Sequence, residues 1–281
     1  MVSPNCHSSL LGLLASGDQI FLQYSEKRRR DRKAVTFSEL FATFQQTGRK
    51  MTKMEAASSV PAFLFDLDGT LVDSVYQHVL AWREALECCG IELAVWRIHR
   101  RIGMSGGLFA NALLRETGKP VTAEQAEELQ RCHAQAYSRL LSQVRPLPGA
   151  NGLLTFLTGA RVPWAIATSG KNDSARQTLR FLEIGPEVPI VTRDDVQRAK
   201  PDPDLFFAAA ARLKADIRTS LVVGDSVWDL LAAQRAGALG IGLLSGGYGQ
   251  DELERAGAYR VYQDPLDLLQ HLDEVGVRIG E

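Results

Sequence analysis

The chain has 281 residues, is 45% apolar, and carries 32 Lys/Arg against 33 Asp/Glu for a formal charge of −1. That length can bury a large core in one main domain with room for an insertion. The even charge gives no strong nucleic-acid signal, and no stretch approaches the ~20 continuous apolar residues that cross a bilayer, so a membrane reading drops out and the cytoplasm is the expected compartment.

Residues 1–59 read differently from the rest. They hold nine Lys/Arg and five Asp/Glu, net +4, which leaves the remainder at net −5. A short apolar patch at 10–15 precedes a basic run at 27–33, the reverse of a secretory signal's order. The expectation is a solvated, poorly ordered extension. Cys6, Cys88, Cys89 and Cys132 form no Cys-x-x-Cys pair and read as reduced packing residues.

The first strand is expected at 62–65 and runs straight into Asp66-Leu67-Asp68-Gly69-Thr70. Alternate residues of an extended chain share a side, so Asp66 and Asp68 can converge on one ligand at the strand's carboxyl end. Such a pair can divide nucleophilic and proton-transfer work; the bland alternative is an acidic turn closing a strand. Gly69 allows a tight reversal, and Thr70 is expected to support the Asp68 loop.

Strand patterns then stop until about residue 146. Val79, Trp82 and Leu86 fall on one helical face; Thr122 and Gln125 form a possible capping box; Leu129, His133, Ala136 and Leu140 continue a helical stripe. The Pro/Gly-rich 145–149 reads as a return hinge. Further strands are expected at 164–168, 190–192, 221–224, 239–244 and 259–262, alternating with helices. The fold class is therefore α/β: a doubly wound, Rossmann-like parallel sheet, with 60–74 and 147–281 as the core and 75–146 as an inserted α-helical domain.

Three loops follow these strands. The second strand ends in Thr168-Ser169-Gly170, and Lys200-Pro201-Asp202-Pro203-Asp204 opens a helix. Asp202 is expected to cap that helix, with Pro203 in its first turn, leaving Lys200 free to reach a ligand. The third is Gly224-Asp225-Ser226-Val227-Trp228-Asp229. If Asp225 begins a helical turn, Asp229 shares its face; the structural alternative for Asp229 is favourable charge at a helix start.

In order and content these segments resemble the haloacid dehalogenase superfamily over residues 60–275. The resemblance implies that Asp66 is the nucleophile, forms a phosphoaspartate and ligates Mg2+, and that Asp68 is the general acid and base, with its backbone carbonyl on the metal. It implies metal ligation by Asp225 and, directly or through water, by Asp229. Thr168, Ser169 and Lys200 would hold the phosphoryl group, and His78 and Ser105 of the helical cap would meet substrate. His78 could equally pack beside Trp82. The second acid, Asp68, argues against the dehalogenases proper, and the insertion's only lysine, Lys119, argues against phosphonate cleavage. The implied function is a magnesium-dependent phosphatase acting on a small phosphorylated metabolite, similar to phosphoglycolate phosphatases. A beta-phosphoglucomutase-like mutase is the rival, weakened because Gly103-Met104-Ser105-Gly106 lacks that group's arginine. A low-turnover phospho-ligand sensor is the other alternative, and the oligomeric state stays open.

Overall fold

The computed structural model describes residues 60–104, 108–109, 111–112 and 122–277. The extension 1–59, Ser105, Gly106 and Lys119 lie outside the described residues. Phe63–Phe65 form β1, buried on both faces, as an uninterrupted apolar triplet must be at the centre of a parallel sheet. β4 (Trp164–Ala167) and β6 (Leu221–Gly224) flank it, with Leu64 opposite Ala165 on one side and Val222 on the other. β5 (Ile190–Val191) lies beyond β4, and β7 (Leu239–Leu243) and β8 (Ala258–Tyr262) lie beyond β6. All these pairings are parallel.

The chain steps from β1 outward through β4 to β5, then returns to β6 and steps the other way. The crevice between the carboxyl ends of β1 and β6 is thus the topological switch point, where open α/β sheets bind ligands. Asp66 follows β1 and Asp225 follows β6.

Alternating side chains of β1 divide the core into two layers. Phe63 and Phe65 pack with Leu153 and Leu157 of α4 (Ala150–Gly159), Ala175 of α5 (Asn172–Leu179) and Leu268 of α9 (Pro265–Gln270). Leu64 faces Phe206 and Ala209 of α6 (Asp204–Leu213) and Ala232 and Ala233 of α7 (Val227–Ala236). A short α8 (Gln250–Arg255) buries Leu253 beside Tyr248.

The helical insertion leaves the sheet through a two-stranded antiparallel neck, β2 (Val72–Asp73) with β3 (Arg145–Pro146). It contains α1 (Val75–Cys88), α2 (Val95–His99) and α3 (Ala123–Leu140). Val79, Trp82 and Leu86 meet Phe109 and Leu129 in a separate apolar cluster. Thr122 starts α3 with the expected box: its Oγ1 accepts from Gln125 N at 3.3 Å, and its N–H donates to Gln125 Oε1 at 3.2 Å.

One helix start differs from expectation. α6 begins at Asp204 with Pro203 at its N-cap and no side-chain cap. Asp202 lies outside it, in a turn closed by its own N–H on Ala199 O, and its carboxylate points to Arg235 at 3.7 Å. Among the described residues no helix is long and apolar enough to cross a membrane.

Candidate active site

Asp66 is seated by its backbone, whose N–H donates to Val223 O at 2.8 Å and carries β1 one residue past its last strand position. Its buried carboxylate pairs with Lys200 Nζ. That ammonium also lies 2.8 Å from Asp229 Oδ1, an ion pair bent away from good hydrogen-bond angles, and sits over the Phe206 ring. Lys200 is therefore fully buried among its partners and is not free in a loop, and it does not form part of the cleft wall. The loop before α6 turns inward, so the side chain meets carboxylates before it can meet solvent.

Ser226, Asp225 and Asp229 owe their places to the start of α7. Ser226 is the N-cap, and its N–H and hydroxyl both donate to Asp229 Oδ2, at 3.1 and 2.5 Å. Asp225 precedes the helix and does not begin its first turn. Asp229 consequently does two things: Oδ2 completes a capping box, and Oδ1 faces Lys200. Thr70 Oγ1 donates to Asp225 Oδ1 at 3.0 Å, so this hydroxyl supports Asp225 across 155 residues of sequence, not the Asp68 loop.

Two glycines make room for Asp225. Gly69 has φ +87°, and a Cβ there would stand 2.4 Å from Asp225 Oδ2. At Gly246 the demand is close approach: a Cβ would stand 1.8 Å from the same oxygen. Gly246→Ala is expected to preserve the circular dichroism spectrum but displace Asp225, lowering turnover by about 10²-fold, the loss that a 1 Å misplacement can cause. Near-normal turnover would show that Asp225 tolerates the shift.

Asp66, Asp225 and Asp229 each place a carboxylate oxygen within 4.8 Å of the others. Burial pushes the Asp66 carboxyl up to about 7 against the pull of Lys200. Burial, then the Asp229 and Asp66 carboxylates, lift Asp225 well above the usual range. Burial alone would lower Lys200, but Asp229 and Asp66 outweigh it and raise it. Three buried carboxylates thus face one ammonium, and the deficit of positive charge, presented by oxygen donors alone, suits a hard divalent cation such as magnesium.

The pH dependence of that fit has a definite sign. Between the ordinary 3.8 and about 7, the metal-free folded protein keeps a proton on Asp66 that the unfolded chain has lost, so this group's contribution to stability falls as pH rises through the window. Magnesium competes with that proton. Its elevation of Tm is expected to be small at pH 5 and larger at pH 8, where a concentration 100-fold over Kd stabilises by about 2.7 kcal/mol. Equal shifts at both pH values would mean that the cation binds elsewhere.

Asp68 differs from its neighbour. Burial would raise its carboxyl, but the His78 ring outweighs that, with help from Ser74, and holds it below the usual range. Ser74 Oγ donates to Asp68 Oδ1 at 2.6 Å, and His78 Nε2 lies 3.2 Å from the same oxygen. Asp66 and Asp68 open onto a cleft of about 880 Å³ that Thr168, Ser169 and Arg101 also line. Thr168 Oγ1 accepts from Gly170 N at 3.0 Å, and the buried Ser169 hydroxyl has no partner among the described residues.

A family model described as haloacid dehalogenase-like hydrolase matches residues 60–237. The chain belongs to the haloacid dehalogenase-like hydrolases. A hydrolase from Pseudomonas syringae of known structure is 59% identical, with a TM-score of 0.76, covering 77% of this chain and all of that one. A phosphoglycolate phosphatase from Caulobacter vibrioides is 30% identical over 207 residues, 73% of this chain and 87% of its own. A beta-phosphoglucomutase from Bacillus subtilis is 30% identical over 217 residues, 75% and 92% of the respective chains. The family match, with its phosphatase-named relatives, makes this haloacid dehalogenase-like hydrolase a phosphoric monoester hydrolase.

The structure of the hydrolase thus brings Asp66, Asp68, Thr168, Ser169 and His78 to one cleft and sets Lys200, Asp225 and Asp229 beneath it; Ser105 lies outside the described residues. The insertion also touches the core away from the cleft, where Arg100 of the turn after α2 pairs with Glu252 of α8 and lies over Tyr248. One cleft residue shows in the sequence only as a member of a helical stripe: His133 of α3, whose Nε2 lies 3.1 Å from His78 Nδ1. Its place in that stripe gives no sign that it meets a polar partner.

Proposed function

We propose that this hydrolase is a magnesium-dependent phosphatase that releases a small alcohol from its phosphate ester through a phosphoaspartate on Asp66. The observation that carries the reading is the division of labour between two acids on one strand end: Asp66 packed against Lys200 and two further carboxylates, Asp68 apart from them against Ser74 and His78.

When bound among Asp66, Asp225 and Asp229, with the Asp68 backbone carbonyl, magnesium supplies charge neutralisation and alignment of phosphoryl oxygens. Asp66 forms the new P–O bond as the bond to the leaving alcohol breaks, and Asp68 gives that alkoxide its proton. In the second step Asp68 takes a proton from water as the water oxygen attacks phosphorus, which restores the Asp66 carboxylate and frees phosphate. At rest Asp68 is a carboxylate, suited to the second step. The negative charge of the entering ester favours the proton it needs for the first. Lys200 fixes Asp66, while the Thr168 hydroxyl and backbone N–H groups at the start of α5 meet the transferring group. Residues 75–146 act as a cap over the core segments 60–74 and 147–281, and its closure excludes water from the reacting groups.

Phosphoglycolate and sugar phosphates both match the reading, since relatives carry names of each kind. A panel of phosphomonoesters, with and without magnesium, tests it. Metal-dependent phosphate release with one preferred ester is the expected result. Conversion of beta-glucose 1-phosphate to the 6-phosphate without net release would replace the phosphatase with a mutase, and binding without turnover would leave a sensor.

A further inference from the structure

Behind Asp68 the cleft wall contains a pair of histidines. His78 Nε2 lies 3.2 Å from Asp68 Oδ1 without reaching good hydrogen-bond angles, and its Nδ1 lies 3.1 Å from His133 Nε2. Each ring is clamped by a larger one. His78 stacks on Tyr137 at 3.9 Å and 7°, and His133 stacks on Trp82 at 4.2 Å and 19°. The Tyr137 hydroxyl is tied in turn to Thr178 of α5 at 2.9 Å.

The donors and acceptors can be followed inward from the carboxylate. An ionised carboxylate only accepts, so the nitrogen of His78 that faces Asp68 carries a proton. The other nitrogen of His78 meets His133 Nε2 at 3.1 Å, so one of the two donates and the other accepts, and this one bond sets the orientation of the His78 ring. Burial, then His78, hold His133 well below the usual histidine range, consistent with a neutral ring.

We propose that His133 is a positioning residue for proton transfer: its hydrogen bond to His78 Nδ1 fixes the His78 ring, so that Nε2–H is held against the Asp68 carboxylate and keeps it in line. The inference rests on the assignment of Asp68 as acid and base. Without His133 the His78 ring loses the partner that orients it, and the Asp68 carboxylate loses its alignment for both proton transfers.

The decisive comparison is between an alkyl phosphate, which needs a protonated leaving group, and p-nitrophenyl phosphate, which does not. His133→Phe keeps a ring against Trp82 and deletes the hydrogen-bonding nitrogen; His133→Leu makes the same deletion should the phenylalanine variant not fold. Either is expected to lower kcat/KM for the alkyl ester about tenfold, a part of the 10²–10⁴ that acid–base catalysis supplies. For the aryl ester kcat/KM should stay within about twofold while kcat falls and a burst of nitrophenol appears, because hydrolysis of the phosphoenzyme still needs Asp68. His133→Gln, whose amide can both donate and accept, should recover much of the alkyl activity. Equal losses on both esters, or no loss on either, would overturn the inference. Asp68→Asn in the same assays separates the two claims. If it shows no leaving-group bias, the assignment of Asp68 falls and the inference with it; if it shows the bias and His133→Phe does not, only the role of His133 falls.

Discussion

Asp66→Asn is expected to abolish phosphate release, by ~10⁴-fold or more, as loss of a nucleophile does in enzymes that work through a covalent intermediate. The substitution keeps the side chain's shape and removes only the charge and the attacking oxygen. It should not unfold the protein. Burial already pushes this carboxyl up to about 7, so the fold bears a cost for the anion, and Asp225, Asp229 and Asp68 all lie close enough to repel it. Lys200 keeps Asp229 as its counter-ion in the variant. Metal-free Asp66→Asn is thus expected to melt at or above the parent's Tm at pH 8, while losing turnover and any acid-stable phosphoryl label. A variant that retained several per cent of turnover would remove Asp66 from the nucleophile's place, and one that lost activity only by melting would say nothing of chemistry, which is why both readings are taken on the same sample.

The strands that matter most were legible because each is a short apolar run cut off by a polar residue. Phe63–Phe65 ends at Asp66, Trp164–Ala167 at Thr168, and Leu221–Gly224 at Asp225. Parallel topology then places all three ends at one edge of the sheet. What was not legible depends on approach in space. Thr70 finds Asp225 far along the chain, and Gly246 matters only because Asp225 comes so near, a demand no positive φ announces. The β2–β3 neck is two residues a side, too short for an alternation pattern to show. His133 sits in a stripe with Leu129 and Ala136, where a helical period identifies the buried face but not which member meets a polar partner. At Asp229 one carboxylate uses its two oxygens differently, Oδ2 at the helix start and Oδ1 toward Lys200, and the second contact comes from a residue that only the fold brings near.

Lys200→Ala should injure stability and turnover together, with the injury to stability growing with pH. The ammonium is fully buried and answers two carboxylates, Asp66 and Asp229; removing one partner of such a cluster leaves uncompensated charge and commonly costs about 3–5 kcal/mol. Protonation offers an escape. Without Lys200 the buried carboxyls hold their protons to still higher pH than they do beside it. The folded variant then binds more protons than its unfolded chain over a wider range, and its stability falls more steeply as pH rises. The loss of Tm relative to the parent is therefore expected to be modest at pH 5 and large at pH 8, with magnesium restoring part of it by supplying the missing positive charge. Turnover should still drop by about 10²–10³ with metal present, because the cation that fixes Asp66 against the transferring group has gone. Lys200→Met keeps the apolar stem and separates charge from packing: matched losses in the two variants assign the effect to the ammonium, whereas recovery in the methionine variant would assign it to the volume left beside Phe206. Near-normal turnover in both would show that the buried lysine serves the fold alone.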